Sequence, residues 1–125
     1  MIKEAYVSYE VAKLLKEKGF NWITQYVYTL DGTGSTPHKI GNWRATSNIQ
    51  KPTHQMACAW LREKYNICIT IYPDKENGYE AVLYDTENDV EIVLQSFGIY
   101  GIHIYEEIYE DAVETAIKYC LENLI

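Results

Sequence analysis

Basic residues are scarce in this sequence, and their scarcity excludes several classes of partner. Eleven lysines and arginines stand against 18 aspartates and glutamates, which gives a formal net charge of −7. Broad electrostatic binding to nucleic acid or to anionic lipid requires a basic surface, so this balance argues against both, although a local basic patch stays open. The order helix, three strands, helix from Thr53 onward is that of double-stranded RNA-binding domains. The last helix has a single lysine, Lys118, surrounded by Glu114 and Glu122, so we expect no double-stranded nucleic acid as partner.

Long hydrophobic runs are absent as well. The N-terminus, MIKEAYVSYE, has no apolar run after a basic segment, which argues against a secretory signal. No stretch approaches the ~20 apolar residues that a membrane span needs. We therefore expect a cytoplasmic protein that contacts no membrane.

Cysteine is rare, which argues against a disulfide scaffold. Cys58, Cys68 and Cys120 are odd in number, far apart and in apolar surroundings, as is typical of reduced, buried thiols. His54 and Cys58 stand four residues apart on a predicted helix, a spacing that lets two side chains bind one metal ion. However, no Cys-x-x-Cys and no second histidine pair accompany them, and we expect His54 at an exposed helix start. The sequence predicts no metal site and no cofactor.

The motifs of common enzyme classes are also missing. The glycine-rich segment 32–41, GTGSTPHKIG, has no Gly-Lys-Ser or Gly-Lys-Thr at a helix start, so it is not a P-loop. No serine lies in a Gly-x-Ser-x-Gly elbow, and no cysteine lies in a recognisable catalytic neighbourhood. We favour a non-enzymatic protein, and a small hydrolase with an unrecognised site stays as an alternative.

Hydrophobic residues are plentiful enough for one core. They make up 47% of the 125 residues, and charged residues make up 23%, which fits neither a disordered nor a fibrous chain. The length suits a single domain over 1–125. Twelve tyrosines indicate either a recognition surface or half-buried strand positions.

The segment 52–73, PTHQMACAWLREKYNICITIYP, changes its hydrophobic period at Asn66. Before Asn66 the apolar residues recur every three or four positions, which predicts a helix capped by Thr53 with Trp60 in the core. After Asn66 they alternate, which predicts a strand ending at Pro73. The segment therefore reads as one helix that leads directly into one strand.

The remaining periods predict an α+β fold, with helices on one face of a mostly antiparallel sheet of about four strands. The element order is α-β-loop-α-β-β-β-α, and the segment 96–105 is either a glycine-interrupted edge strand or a loop. The other predicted elements are helices at 9–18 (capped by Ser8 and stopped by Gly19) and 108–123, and strands at 23–29, 79–85 and 90–94.

A long polar loop at about 31–52 is the predicted functional segment. From 31 to 54 the only acidic residue is Asp31, so this is a locally basic part of an acidic protein. Trp43 is suited to stack on a ring while Arg44 pairs with a phosphate, and the next helix begins with free amides for an anion. Alternatively, the loop is merely solvated and Trp43 folds onto the core. Independently of its function, part of the loop at about 40–45 is a candidate short edge strand. The candidate ligand-binding residues are His38, Lys39, Trp43, Arg44, Lys51 and His54.

Three blocks of the sequence are YVSYEVAKLLKEKGF at 6–20, AWLREKYNICITI at 59–71 and IYEDAVETAIKYCLENLI at 108–125, somewhat more than a third of the chain. These blocks resemble a group of small uncharacterised proteins from gut anaerobic bacteria and their phages. The resemblance implies a phage or prophage accessory protein made in the bacterial cytoplasm. It supplies no catalytic or binding residue to carry over.

Three functions follow as expectations. The first is a binding module that presents the 31–54 loop to a partner protein or to an anionic small ligand such as a nucleotide. The second is a structural protein that forms a homo-oligomer through an exposed strand edge and aromatic residues. The third is the small hydrolase.

Overall fold

Three helices and seven strands make up the part of the chain that the structure, a computed structural model, describes: residues 4–29, 34–37, 49–92 and 104–125. The predicted α+β class is confirmed. No helix in these ranges is long and apolar enough to cross a membrane. The elements are α1 (Tyr9–Glu17), β1 (Tyr26–Tyr28), β2 (Ser35–Pro37), β3 (Ile49–Lys51), α2 (His54–Tyr65), β4 (Ile67–Asp74), β5 (Gly78–Asp85), β6 (Val90–Glu91), β7 (Ile104–Glu106) and α3 (Tyr109–Asn123).

Local capping chemistry defines the starts of α1 and α2 and the end of α2. The Ser8 hydroxyl accepts a hydrogen bond from the Val11 amide at 3.2 Å, and the Thr53 hydroxyl accepts one from the Met56 amide at 3.1 Å. Each bond satisfies a helix-start amide that has no partner within the helix. Asn66 adopts a left-handed conformation with φ 59°, which ends α2 and turns the chain straight into β4.

The strands form two antiparallel sheets instead of one sheet of about four strands. In the larger sheet, β4 pairs with β5 over its whole length, from Ile67 opposite Asp85 to Asp74 opposite Gly78. The other edge of β5 pairs with both β6 and β7. Residues 104 and 105 of the undecided segment 96–105 are therefore in a strand, β7, whereas residues 93–103 lie outside the described residues.

The smaller sheet corrects two predictions. The strand predicted at 23–29 is only β1, and the predicted loop at 31–52 supplies β2 and β3, which pair with the two edges of β1. Thr24 precedes β1 and is bonded to β3: its amide donates to Gln50 Oε1 at 3.0 Å, and its hydroxyl accepts from the Lys51 amide at 3.1 Å. Strands of three residues are too short to show a hydrophobic period, so only their pairing defines them. The suggested edge strand at 40–45 lies outside the described residues.

One hydrophobic core joins the helices to the sheets. α2 and α3 contact the larger sheet, and α1 lies between α3 and β3. Trp60 is fully buried, as predicted, with its ring 5.5 Å from that of Phe20 and 5.3 Å from that of Tyr65. Ala81 and Leu83 of β5 and Ile104 of β7 supply the sheet's share of the core.

Alanine at Gly78 is expected to destabilise the fold more than alanine at Gly19. Both glycines have positive φ, 92° and 95°, so both substitutions carry a left-handed cost of about 1–2 kcal/mol. Only at Gly78 would the new Cβ also collide with backbone, lying 2.6 Å from the Glu106 carbonyl oxygen, whereas Gly19 has nothing within 4 Å. Free energies of unfolding from denaturant titrations measure both effects, and equal losses would contradict the close approach of β5 to β7.

Candidate functional site

A cleft of about 490 Å³ opens beside the start of α2. Its volume lies in the range of about 300–1,000 Å³ that small-molecule sites occupy. Four parts of the chain form its walls: the N-terminal segment, α2, β4 and the start of α3. The lining residues are Glu4, Ala5, His54, Gln55, Cys58, Arg62, Ile69, Ile71, Tyr109, Glu110 and Val113.

The unit of α2 and β4 forms two sides of this cleft. His54, Cys58 and Arg62 follow one another at intervals of four residues, so they form a stripe along a single face of the helix. Ile69 and Ile71 are two residues apart on β4 and therefore project to one face of the sheet. The helix stripe supplies polar groups, and the isoleucines supply an apolar floor.

The opposite side comes from α3 and the N-terminal segment. The ring of Tyr109 packs edge-to-face on that of Tyr79, with their centroids 5.6 Å apart. Ala5 is held against α2 because its carbonyl accepts a hydrogen bond from the His54 amide at 2.9 Å. Val7 donates to the Pro52 carbonyl at 3.1 Å, which extends this backbone pairing. The N-terminal segment is thus fixed at the edge of the cleft.

His54 is anchored by Glu114 of α3, with Nε2 lying 3.0 Å from Oε1. Both carboxylate oxygens of Glu114 also accept the Ser8 amide, each at 3.1 Å. Burial by itself would raise the pKa of Glu114, but the hydrogen bonds from His54 and Ser8 outweigh it and hold this pKa below its ordinary value. The ionised carboxylate only accepts, so His54 donates from Nε2.

The charges along the cleft are mixed. Arg62 carries the guanidinium, and Glu4 and Glu110 carry carboxylates. Within the described part of the chain, no carboxylate lies within 4.0 Å of the Arg62 side chain, so its planar donors are available to a ligand. Arginine at such a position pairs well with carboxylate or phosphate groups.

Cys58 is not an activated nucleophile. Burial raises the pKa of its thiol to about 11, and the nearby charge of Arg62 lowers it only in part. The thiolate is the reactive form, so Cys58 is a poor nucleophile at neutral pH. His54 and Glu114 have the composition of a Cys-His-carboxylate set with Cys58, but no hydrogen bond joins the thiol to the imidazole.

Metal binding by His54 and Cys58 would need further ligands. Over the ranges that the structure covers, no group of three or more His, Cys, Asp or Glu side chains is arranged to hold a metal ion. Four-coordinate zinc requires at least three protein ligands at a catalytic site. The spacing of four along α2 places both His54 and Cys58 on the wall of the cleft.

The six predicted site residues are not brought together by the described structure. His38, Lys39, Trp43 and Arg44 lie outside the described residues. The remaining two separate: Lys51 lies on the smaller sheet, with Nζ 4.8 Å from the Tyr6 ring centroid, 5.2 Å from that of Tyr28 and 3.3 Å from Ser35 Oγ. His54 lines the cleft.

The prediction that His54 is exposed is wrong, and the sequence does not predict Glu114 as its partner. Its side chain is only 12% exposed because Glu114 and the N-terminal segment cover it. The two intervals of four between His54, Cys58 and Arg62 were a signal in the sequence that these residues share one helix face. Glu114 gave no signal, since it lies 60 residues further along the chain.

Comparison with known proteins supplies no relative from which to argue. No protein family, no curated protein and no solved structure matches the chain. The resemblance to small proteins of gut bacteria and phages stays a prediction. The chemistry of the cleft is therefore the basis for a functional proposal.

Replacing Glu114 with Gln is expected to cost about 1.5 kcal/mol of stability near neutral pH. Hydrogen bonds to charged groups contribute about 1.5–3 kcal/mol, and the carboxylate, at 24% exposure, belongs at the low end. Because its pKa is lowered in the fold, this contribution is present above the ordinary carboxyl pKa of 4.5 and is lost as the pH falls through the folded value.

Unfolding free energies of the wild type and Glu114→Gln should therefore converge on acidification. Glu10→Gln is the matched control, because Glu10 forms an exposed ion pair with Lys118 at 2.9 Å, of a kind that contributes about 0–1 kcal/mol. A loss for Glu114→Gln no greater than that of the control would contradict the anchoring role.

Proposed function

We propose that this chain is a non-enzymatic accessory protein of phage or prophage type that binds a small organic anion in the cleft beside α2. The observation that carries the proposal is Arg62, whose guanidinium borders a cleft of suitable volume and has no carboxylate within 4.0 Å among the described residues. Of the six residues that the sequence predicts to bind a ligand, His54 belongs to this cleft.

An organic anion suits the two kinds of surface that the cleft combines. The guanidinium of Arg62 would take a carboxylate or phosphate in a two-pronged hydrogen bond. The floor of Ile69 and Ile71 would receive an apolar or aromatic body, and Tyr109 offers a ring for stacking. These groups lie on helices and a strand, so the site needs little ordering when the ligand binds.

The carboxylates of the cleft restrict the charge of that ligand. Glu4 and Glu110 share the cleft with Arg62 and would repel a ligand with several negative charges. A nucleoside monophosphate or an aromatic carboxylate is thus favoured over a triphosphate. A ligand that also carries an amine would find partners in the same two carboxylates.

Two further observations support the non-enzymatic and cytoplasmic parts of the proposal. The one thiol that lines the cleft, Cys58, is held protonated by burial. All three cysteines are unpaired in the structure, which suits a reducing compartment. The first observation agrees with a non-enzymatic protein, and the second agrees with a cytoplasmic one.

Replacing Arg62 with Met is expected to weaken anion binding about tenfold or more, because a charge-assisted hydrogen bond of about 1.5–3 kcal/mol is lost. A thermal-shift screen of nucleoside monophosphates and aromatic carboxylates finds the ligand, since one at 100 times its dissociation constant stabilises by about 2.7 kcal/mol. Calorimetric titration then compares the variants.

Lys64→Met is the matched control, because Lys64 is an exposed cation on the same helix outside the cleft lining. It should bind as the wild type does. If Trp43→Ala and Arg44→Ala abolish binding while Arg62→Met does not, the site is the 31–54 loop and the cleft assignment is wrong.

A homo-oligomer is the second candidate, and the outer edge of β4 favours it. Among the described residues, β4 pairs only with β5, and its first six residues, ICITIY, are uncharged and rich in β-branched side chains. Such an edge is a template for another strand, although Pro73 would limit pairing at one end. We expect light scattering of concentrated protein to show a dimer if this edge is used, and a strict monomer would remove the candidate.

A further inference from the structure

The larger sheet presents a second surface, on the side away from the cleft. Opposed residues of antiparallel strands project to the same face, so the pairing identifies the members of that face. Tyr72 lies opposite Glu80, which lies opposite Tyr105, and Cys68 lies opposite Tyr84. We name this surface the tyrosine face; it consists of Cys68, Thr70, Tyr72, Asp74, Glu80, Val82, Tyr84, Glu91 and Tyr105.

The opposite side of the same sheet is covered by helices. α2 and α3 contact the sheet. Of the residues that alternate with the tyrosine face, Ile67, Ala81, Leu83 and Ile104 are in the core, and Ile69 and Ile71 line the cleft. Ala81 and Leu83 are buried in this way, whereas Tyr72 is 52% exposed and Tyr105 is 39% exposed. The tyrosine face is thus a solvent-facing sheet surface that carries aromatic rings.

The charge on this face has one sign. Asp74, Glu80 and Glu91 belong to it, and it includes no lysine or arginine; the nearest base in sequence, Lys75, is in the turn after β4. The carboxylates of Glu80 and Asp74 act on Tyr105, whose pKa is raised first by burial and then by these two charges. Asp89 adds a fourth carboxylate, which accepts the Tyr84 hydroxyl.

We propose that the tyrosine face binds a basic, arginine-rich segment of another protein. A guanidinium over a tyrosine ring is attracted by the π system, and adjacent carboxylates provide its hydrogen-bond acceptors. The spacing of strands and of alternate residues repeats this combination across the sheet, which suits an extended chain with several cationic side chains. This inference is independent of the anion site, because Arg62 and the cleft lie on the other side of the sheet.

The negative charge of the tyrosine face also disfavours two other partners, a second copy of this chain and nucleic acid. A second copy of this chain would place the same carboxylates opposite one another, and like charges at close range are costly. Nucleic acid would meet the same repulsion from its phosphates. The pairing of a protein of net charge −7 with a basic partner is favourable and would accelerate their encounter.

The test uses a fluorescent oligo-arginine peptide titrated with the full chain, with anisotropy as the readout. Cation–π contacts at exposed sites contribute about 0.5–1 kcal/mol each, so the double variant Tyr72→Ser/Tyr105→Ser should raise Kd about tenfold. Tyr72→Phe/Tyr105→Phe keeps both rings and should bind as the wild type does. Arg62→Met should bind the peptide unchanged, which separates this surface from the cleft.

Charge-matched variants distinguish this face from general attraction to an acidic protein. Glu80→Gln/Glu91→Gln should weaken binding, whereas Glu17→Gln/Glu63→Gln, which removes the same charge from exposed helix positions, should leave Kd unchanged. Circular dichroism checks that each variant is folded. If the serine variant unfolds, the comparison of the two glutamine pairs tests the proposal by itself. Equal weakening by both glutamine pairs, or no binding of the peptide by the wild type, would overturn the proposal.

Discussion

The arrangement of the helices depends on the hydrogen bonds that the carboxylate of Glu114 accepts. From α3 it accepts the Ser8 amide at the start of α1 and the His54 imidazole at the start of α2. A negative charge at two helix N-termini also complements their dipoles, so one side chain stabilises both. One turn further along α3, Lys118 pairs with Glu10 of α1 and adds an exposed contact. Glu114 therefore stabilises the wall of the cleft, although it is not itself a lining residue.

The two proposed surfaces share the same strands because side chains of a strand alternate between its faces. Ile69 and Ile71 of β4 form the floor of the cleft, while Thr70 and Tyr72 point to the other side of the sheet. One side offers an arginine to an anion, and the other offers tyrosines and carboxylates to a cation. Since a rigid sheet separates them, both can be occupied together without direct contact between the ligands.

The parts of the fold that could be predicted are those with a local physical cause. Ser8 and Thr53 cap their helices through bonds to residues three positions away, and Asn66 ends α2 by its own conformation. The short strands could not be predicted, because β2 and β3 exist only through their pairing with β1. The sequence predicts Lys51 as a ligand-binding residue from its charge and its place in the locally basic segment 31–54. In the fold it lies between Tyr6 and Tyr28, two rings that are distant in sequence.

The sequence by itself determined the α+β class, the three helices and the helix-to-strand unit around Asn66, because hydrophobic period and capping act over a few residues. It also showed the spacing of four between His54 and Cys58. Only the tertiary structure decided that these residues border a cleft, since the isoleucine floor, Tyr109 and the anchoring Glu114 come from separate elements. Likewise, the sharing of one face by Tyr72 and Tyr105 depends on strand register, which is set by packing across the whole sheet.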